Sequence, residues 1–132
     1  MARSDNRFPL IPRKKNSDKS CYGHVLIVAG SRGMTGAAIL AARAALVSGA
    51  GLVTLGIPKS LGSRVAVAVP EVMILELSET SFGSISSKAF TAIKNFIEKR
   101  KINSLLIGPG LSINAETVAL VRRLVVLTRV ST

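Results

Sequence analysis

Residues Tyr22 to Pro58 read YGHVLIVAGSRGMTGAAILAARAALVSGAGLVTLGIP: a strand, a glycine-punctuated turn, an alanine-rich helix and a second strand. The run Val25-Leu26-Ile27-Val28-Ala29 is wholly apolar and rich in β-branched residues, the pattern of a central parallel strand covered on both faces. Gly30, Gly33 and Gly36 follow, and residues without Cβ tolerate positive φ and permit close backbone approach. On this reading a valine at Gly36 does more damage than loss of the Ser31 hydroxyl. Thr35 is placed to cap the helix. Such a turn sets unpaired N–H groups and the positive end of a helix beside the carboxyl end of a strand, where α/β folds bind anions and nucleotides. The position points to a phosphate-bearing or nucleotide-like ligand.

Working outward, the helix over 35–48 carries one charge, Arg43, which predicts that most of its circumference is buried. Ala37, Ala38, Ala41, Ala42, Ala44 and Ala45 allow it to approach a sheet closely, and Gly49 and Gly51 end it. Further strands are expected at 52–55, 72–77 and 104–107. Between 60 and 69, Leu61, Val65 and Val69 keep helical spacing while Val65-Ala66-Val67-Ala68-Val69 alternates like a strand; a short helix is the expectation. An amphipathic helix over 87–101 gathers Phe90, Ile93, Phe96 and Ile97 on one face. A last helix over 115–127 should turn Val118, Val121, Leu124 and Val125 inward. This alternation predicts an α/β fold, a mostly parallel sheet with helices on both faces and the 25–29 strand away from its edge. Residues 1–20 are polar, basic and broken by Pro9 and Pro12, the composition of an extended leader.

With 132 residues and a 48% apolar share, the chain can build a substantial core. Cys21 is its single cysteine, so no internal disulfide is available. The N-terminus has no apolar h-region, and no stretch approaches the roughly 18 apolar residues of a membrane span. A cytoplasmic setting is expected, with no membrane partner. The formal charge of +11 includes basic groups in the leader (Arg3, Arg7, Arg13, Lys14, Lys15, Lys19) and a cluster near the end of one helix (Lys94, Lys99, Arg100, Lys101). Phe8, Tyr22, Phe82, Phe90 and Phe96 form no base-stacking pattern, so the charge reads as a solvated surface and not as a nucleic-acid interface. Arg32 breaks the G-x-G-x-x-G spacing after Gly30, and no P-loop spacing occurs.

The blocks GHVLIVAGSRGMTGAAILAARAALVSGAGLVTLGIP, Pro70-Glu71-Val72-Met73 and Leu106-Ile107-Gly108-Pro109-Gly110-Leu111 stand in this order across about residues 19–128. Together they resemble the first half of the ADP/ATP-dependent NAD(P)H-hydrate dehydratases. The resemblance implies a partial ribokinase-like fold over 21–132 with the C-terminal half absent. It also implies a role in nucleotide-dependent dehydration of NADHX and NADPHX, the hydrated nicotinamide cofactors. Matching positions assign Ala37, Gly108 and Gly110 to the hydrated-cofactor pocket, together with Ser112, which stands where the family usually has glycine.

The same resemblance implies ADP or ATP with Mg as the family's co-substrate, bound through a later lysine-containing segment and a GTGD block that carries the catalytic aspartate. Neither block is found, and the only aspartates are Asp5 and Asp18. No catalytic residue is therefore assigned, the nucleotide is not expected to bind fully, and the chain is expected to be inactive alone. A C-terminal half, or self-association, would cover the unfinished sheet. The alternatives are a noncatalytic binding or assembly module and another ribokinase-like small-molecule kinase. His24 reads as structural, Glu71 as a cap or solvated residue, and Glu76 and Glu79 as unpaired. No Cys/His/Asp cluster has metal-ligand spacing.

Overall fold

The chain is described here by a computed structural model covering residues 12–130; residues 1–11 and 131–132 lie outside the described residues. β1 (His24–Val28) sits inside a four-stranded parallel sheet of order β3-β2-β1-β4, where β2 is Leu52–Pro58, β3 Met73–Leu77 and β4 Ser104–Ile107. Its apolar run is explained by two cores, because successive side chains of a strand point to opposite faces. Ile27 packs with Val53, Leu55 and Ile57 against α1 (Thr35–Val47) and α2 (Gly62–Ala68). Leu26 and Val28 face α3 (Phe90–Arg100) and α4 (Ala115–Val130) through Ile93, Leu120 and Leu124. Each such buried aliphatic side chain contributes about 1.5–3 kcal/mol. Helices thus cover both faces, as the alternation predicts.

Several expectations are sharpened. Residues 60–69 are helical, as a 3₁₀ turn at Lys59–Leu61 followed by α2; Leu61, Val65 and Val69 face the core while Val67 points out. Residues 87–89 form a separate 3₁₀ turn, capped by Ser86 Oγ accepting from Lys88 N at 3.2 Å. In α4 the inward residues are Leu120 and Leu124, and Val125, expected inward, is 40% exposed. Val121, also expected inward, packs against the same core, and Thr117 is buried beside it with its hydroxyl donating to Ile85 O at 2.8 Å.

Two expectations for α1 fail. Its N-cap is Met34, with no side-chain cap bond, and Thr35 is its first helical residue. Nor is most of its circumference buried: Ala38 and Ala42 are, whereas Leu40 is 68% and Val47 88% exposed. A helix lying on a sheet face buries one side, and here Ala38 and Ala42 are fully buried while Ile39, Ala41, Ala45 and Leu46 pack beside them.

The described end of the expected leader is not extended. Asp18 accepts from Ser20 N at 2.8 Å and starts a 3₁₀ turn at Lys19–Tyr22. Arg13 lies 4.9 Å from the Tyr22 ring and donates to Gly49 O at 3.3 Å, while Lys14 N donates to the Tyr22 hydroxyl at 2.8 Å. This segment closes the amino-terminal end of β2. Arg3 and Arg7 lie outside the described residues, as does Asp5. Among the described residues no helix is long and apolar enough to cross a membrane.

His24, at the start of β1, is buried, with Nε2 2.7 Å from Thr54 Oγ1 and Phe96 edge-on at 6.0 Å. Burial, and secondarily the charge of Arg100, hold its pKa below the ordinary 6.5. The folded ring therefore stays neutral to lower pH than a free imidazole, and the unfolded chain takes up the extra proton as pH falls below about 6.5. Stability is expected to be full above that pH and to fall below it, levelling off once the folded ring protonates. Urea unfolding from pH 7.5 to 5 checks this, and His24→Gln should flatten that part of the profile.

Candidate functional site

Neighbouring strands β1 and β4 send their chains to opposite faces: β1 leads to α1 on one side, β4 to α4 on the other. Between such diverging connections an open α/β sheet leaves a crevice at the carboxyl ends of its strands. The two loops are joined across it. Gly30 N donates to Pro109 O at 2.8 Å, Gly108 N to Val28 O at 3.2 Å, and Ser31 Oγ to Gly110 O at 2.7 Å. Gly30 has φ +83°, and a Cβ there would meet Ala38 Cβ at 3.2 Å; Gly110 has φ +68°, and a Cβ would meet Met34 O at 2.8 Å and Ala37 Cβ at 2.9 Å. These glycines let the loops touch.

The result is an open concavity of about 560 Å³ lined by Met34, Gly108, Gly110, Leu111, Ser112 and Ile113. Ala37, Gly108, Gly110 and Ser112 are thereby brought together, with Ala37 behind Gly110. Ser112 holds φ +70°, a left-handed conformation that favours glycine. Gly33, at φ +84°, shapes the turn with nothing within 4 Å of its would-be Cβ.

Gly36 does not have the role expected of it. It lies in the first turn of α1, and a Cβ there would meet nothing within 4 Å. Ser31, by contrast, is buried and bonded to the opposite loop. The expected order of damage is thus reversed. Ser31→Ala should cost about 1–2 kcal/mol by leaving the Gly110 carbonyl without this donor, whereas Gly36→Val should stay within about 0.5 kcal/mol, valine being no worse a helix former than glycine. Thermal unfolding of the two variants gives the comparison.

Sequence reasoning missed a third loop. Thr80 and Ser84 pair through their hydroxyls at 2.8 Å, Asn114 Nδ2 donates to Ser84 Oγ, and Arg32 N donates to Gly83 O at 2.8 Å. The segment 80–84 therefore braces both walls. Its only sequence signal is the turn-rich composition of Ser78-Glu79-Thr80-Ser81-Phe82-Gly83-Ser84.

The acid–base candidates lie elsewhere. His24 and Glu71 stand at the amino-terminal ends of β1 and β3, opposite the concavity. Glu79 accepts from Ser60 Oγ at 2.7 Å, and Glu76 lies against Gly62. Among the described residues no three His, Cys, Asp or Glu side chains could hold a metal ion. No chemical step is assigned through Mg or a nucleoside phosphate.

The sheet order, the helices on both faces and the crevice between β1 and β4 define a ribokinase-like α/β protein. A ribokinase-like superfamily protein from Enterococcus faecalis superposes with TM-score 0.70 and 26% identity over 87% of this chain and 36% of its own. The NAD(P)H-hydrate dehydratase family profile matches residues 25–129, and the chain belongs to that family. A bifunctional NAD(P)H-hydrate repair enzyme of Moorella thermoacetica is 42% identical over 118 residues, 89% of this chain and 22% of that one. An ADP-dependent (S)-NAD(P)H-hydrate dehydratase of Staphylococcus aureus is 33% identical over 109 residues, 83% and 35% respectively. The chain thus spans well under half the length of these curated relatives.

Proposed function

We propose that this chain forms the hydrated-cofactor side of an NAD(P)H-hydrate dehydratase: it binds NADHX or NADPHX between the loops after β1 and β4. Backbone at Ala37, Gly108 and Gly110 makes the contacts, with Ser112 at the rim. The observation that carries this reading is the junction of the two loops, where Ser31 bonds Gly110 and the missing Cβ of Gly110 leaves room for Ala37. It turns two blocks distant in sequence into one preformed wall. The dehydration itself needs a carboxylate and a nucleotide-binding turn; no carboxylate lines the concavity, and on this reading ADP or ATP does not bind fully to this chain. The setting proposed is the cytoplasm.

Calorimetric titration with hydrated NADH tests the assignment. Saturable binding is expected for the chain and is expected to vanish in Gly110→Val, whose side chain would enter the space of Met34 and Ala37. No binding by the chain, or equal binding by both, would overturn it. A second reading, a noncatalytic binding or assembly module that pairs with a C-terminal half or a second copy, draws support from β4. Leu106 on that edge strand is 42% exposed, and exposed Val125 and Val126 stand on α4.

A further inference from the structure

Arg32 makes an arrangement that neither the fold nor the pocket contacts require. Its side chain lies across the open face of Gly83: a Cβ on that glycine would stand 2.7 Å from Arg32 Cβ, 3.0 Å from Nε and 3.3 Å from Cζ. Gly83 also has φ +76°, so the glycine is favoured by its backbone and by the space it leaves. The arginine backbone is fixed to the same residue by its N–H bond to Gly83 O at 2.8 Å. The seat is itself braced, since Gly83 N donates to Thr80 O at 3.0 Å and Asn114 Nδ2 reaches Ser84 Oγ. Arg32 is exposed, its side chain rests on Gly83 at one place, and among the described residues its guanidinium donates to no protein acceptor.

The seat lies beside the concavity. Arg32 stands two residues before Met34, and Asn114 one residue after Ile113; Met34 and Ile113 line the concavity. A guanidinium presents a planar fork matched to phosphate oxygens, and holding it in advance reduces the entropy lost on binding. We infer that Arg32, seated on Gly83, anchors the diphosphate of the dinucleotide that enters this pocket. The inference rests on the reading that the pocket takes a hydrated nicotinamide dinucleotide, and it adds the group that recognises the ligand's charge.

Calorimetric titration of the full chain and its Arg32→Gln, Arg32→Lys and Gly83→Ala variants with two ligands separates the claims. Hydrated NADH carries the diphosphate; the hydrated form of reduced nicotinamide riboside carries no phosphate. Arg32→Gln is expected to weaken hydrated NADH roughly tenfold or more, the scale of a lost charge-assisted pair, and to leave the riboside unchanged. Arg32→Lys should recover part of the loss. Gly83→Ala should resemble Arg32→Gln although its arginine is intact, because the methyl group fills the seat; circular dichroism confirms that each variant is folded, and if Gly83→Ala is not, the Arg32 pair decides. Equal affinity of wild type and Arg32→Gln for hydrated NADH overturns the inference alone. So does an equal loss for both ligands, which would mark Arg32 as packing. Binding of neither ligand by the wild-type chain overturns the pocket reading together with it.

Discussion

The chain supplied with hydrated NADH and ADP or ATP is expected to give no measurable dehydration. The concavity offers backbone amides, small side chains and the apolar groups of Met34, Leu111 and Ile113, and no carboxylate or imidazole lines it. Asp18 is engaged at the start of a 3₁₀ turn before β1, at the far end of the sheet, and Glu71 is at that end as well. General acid–base assistance typically contributes 10²–10⁴-fold, and electrostatic stabilisation of a transferring phosphoryl group contributes more. Lacking groups for either, the site leaves the reaction near its uncatalysed rate. The assay follows recovery of NADH absorbance with the chain alone and after addition of a separately expressed C-terminal half of the Staphylococcus aureus relative. Turnover by the chain alone would refute the assignment of roles made here. Turnover only after mixing would support one half of an enzyme, and none in either case would favour the noncatalytic module.

Gly51→Ala should be the most damaging methyl group that can be added to the described chain. A Cβ at this position would land on the carbonyl oxygen of Lys19, 2.9 Å from its carbonyl carbon and 3.2 Å from Gly23 O. These are backbone atoms, which cannot turn aside as a flexible side chain can. Gly51 N also donates to Tyr22 O at 3.3 Å, and Leu52 N to Gly23 O at 3.0 Å, so the clash falls where the 19–23 segment is pinned to the start of β2. Overpacking of this severity costs roughly 3 kcal/mol or more, equivalent to a fall in Tm of about 10 °C for a domain of this size. Differential scanning calorimetry provides the measurement. A change below about 1 kcal/mol would mean that the segment is not held where it is described.

How far the sequence discloses this molecule depends on whether a residue's role is set by its neighbours in sequence or in space. The interior place of β1 is legible because five consecutive apolar residues need cover on both sides, and β4 is bounded as expected at Ser104–Ile107. For residues 60–69 both periods fit locally, and the core contacts of Leu61, Val65 and Val69 settle it as helix. In α4 the expected Leu124 is buried and Val121 packs on the core, while Val125 is exposed and the buried Leu120 and Thr117 lie outside the expected set; Thr117 has its partner, Ile85, 32 positions away. Ala37, Gly108, Gly110 and Ser112 are assigned by family resemblance alone; Gly108, Gly110 and Ser112 line one concavity and Ala37 lies beside Gly110. The purpose of Gly36 is not legible: a glycine tolerated beside open space and one demanded by a neighbour look alike in one dimension. Nor does the composition of residues 78–86 reveal that Ser84 reaches Asn114, 30 positions on.

The two walls of the crevice come from segments 79 positions apart, as the Ser31–Gly110 bond shows, and they meet only while β4 is paired to β1. In this sheet β4 has one neighbour, whereas β1 and β2 each have two. An outer strand frays at lower free energy than the strands beneath it, so the pocket can dissolve locally while the rest of the sheet stays intact. A molecule lodged between the loops would then act as a clasp on the outermost strand, slowing hydrogen exchange at Leu105 and Ile107 far more than at Val53 or Leu55 in β2.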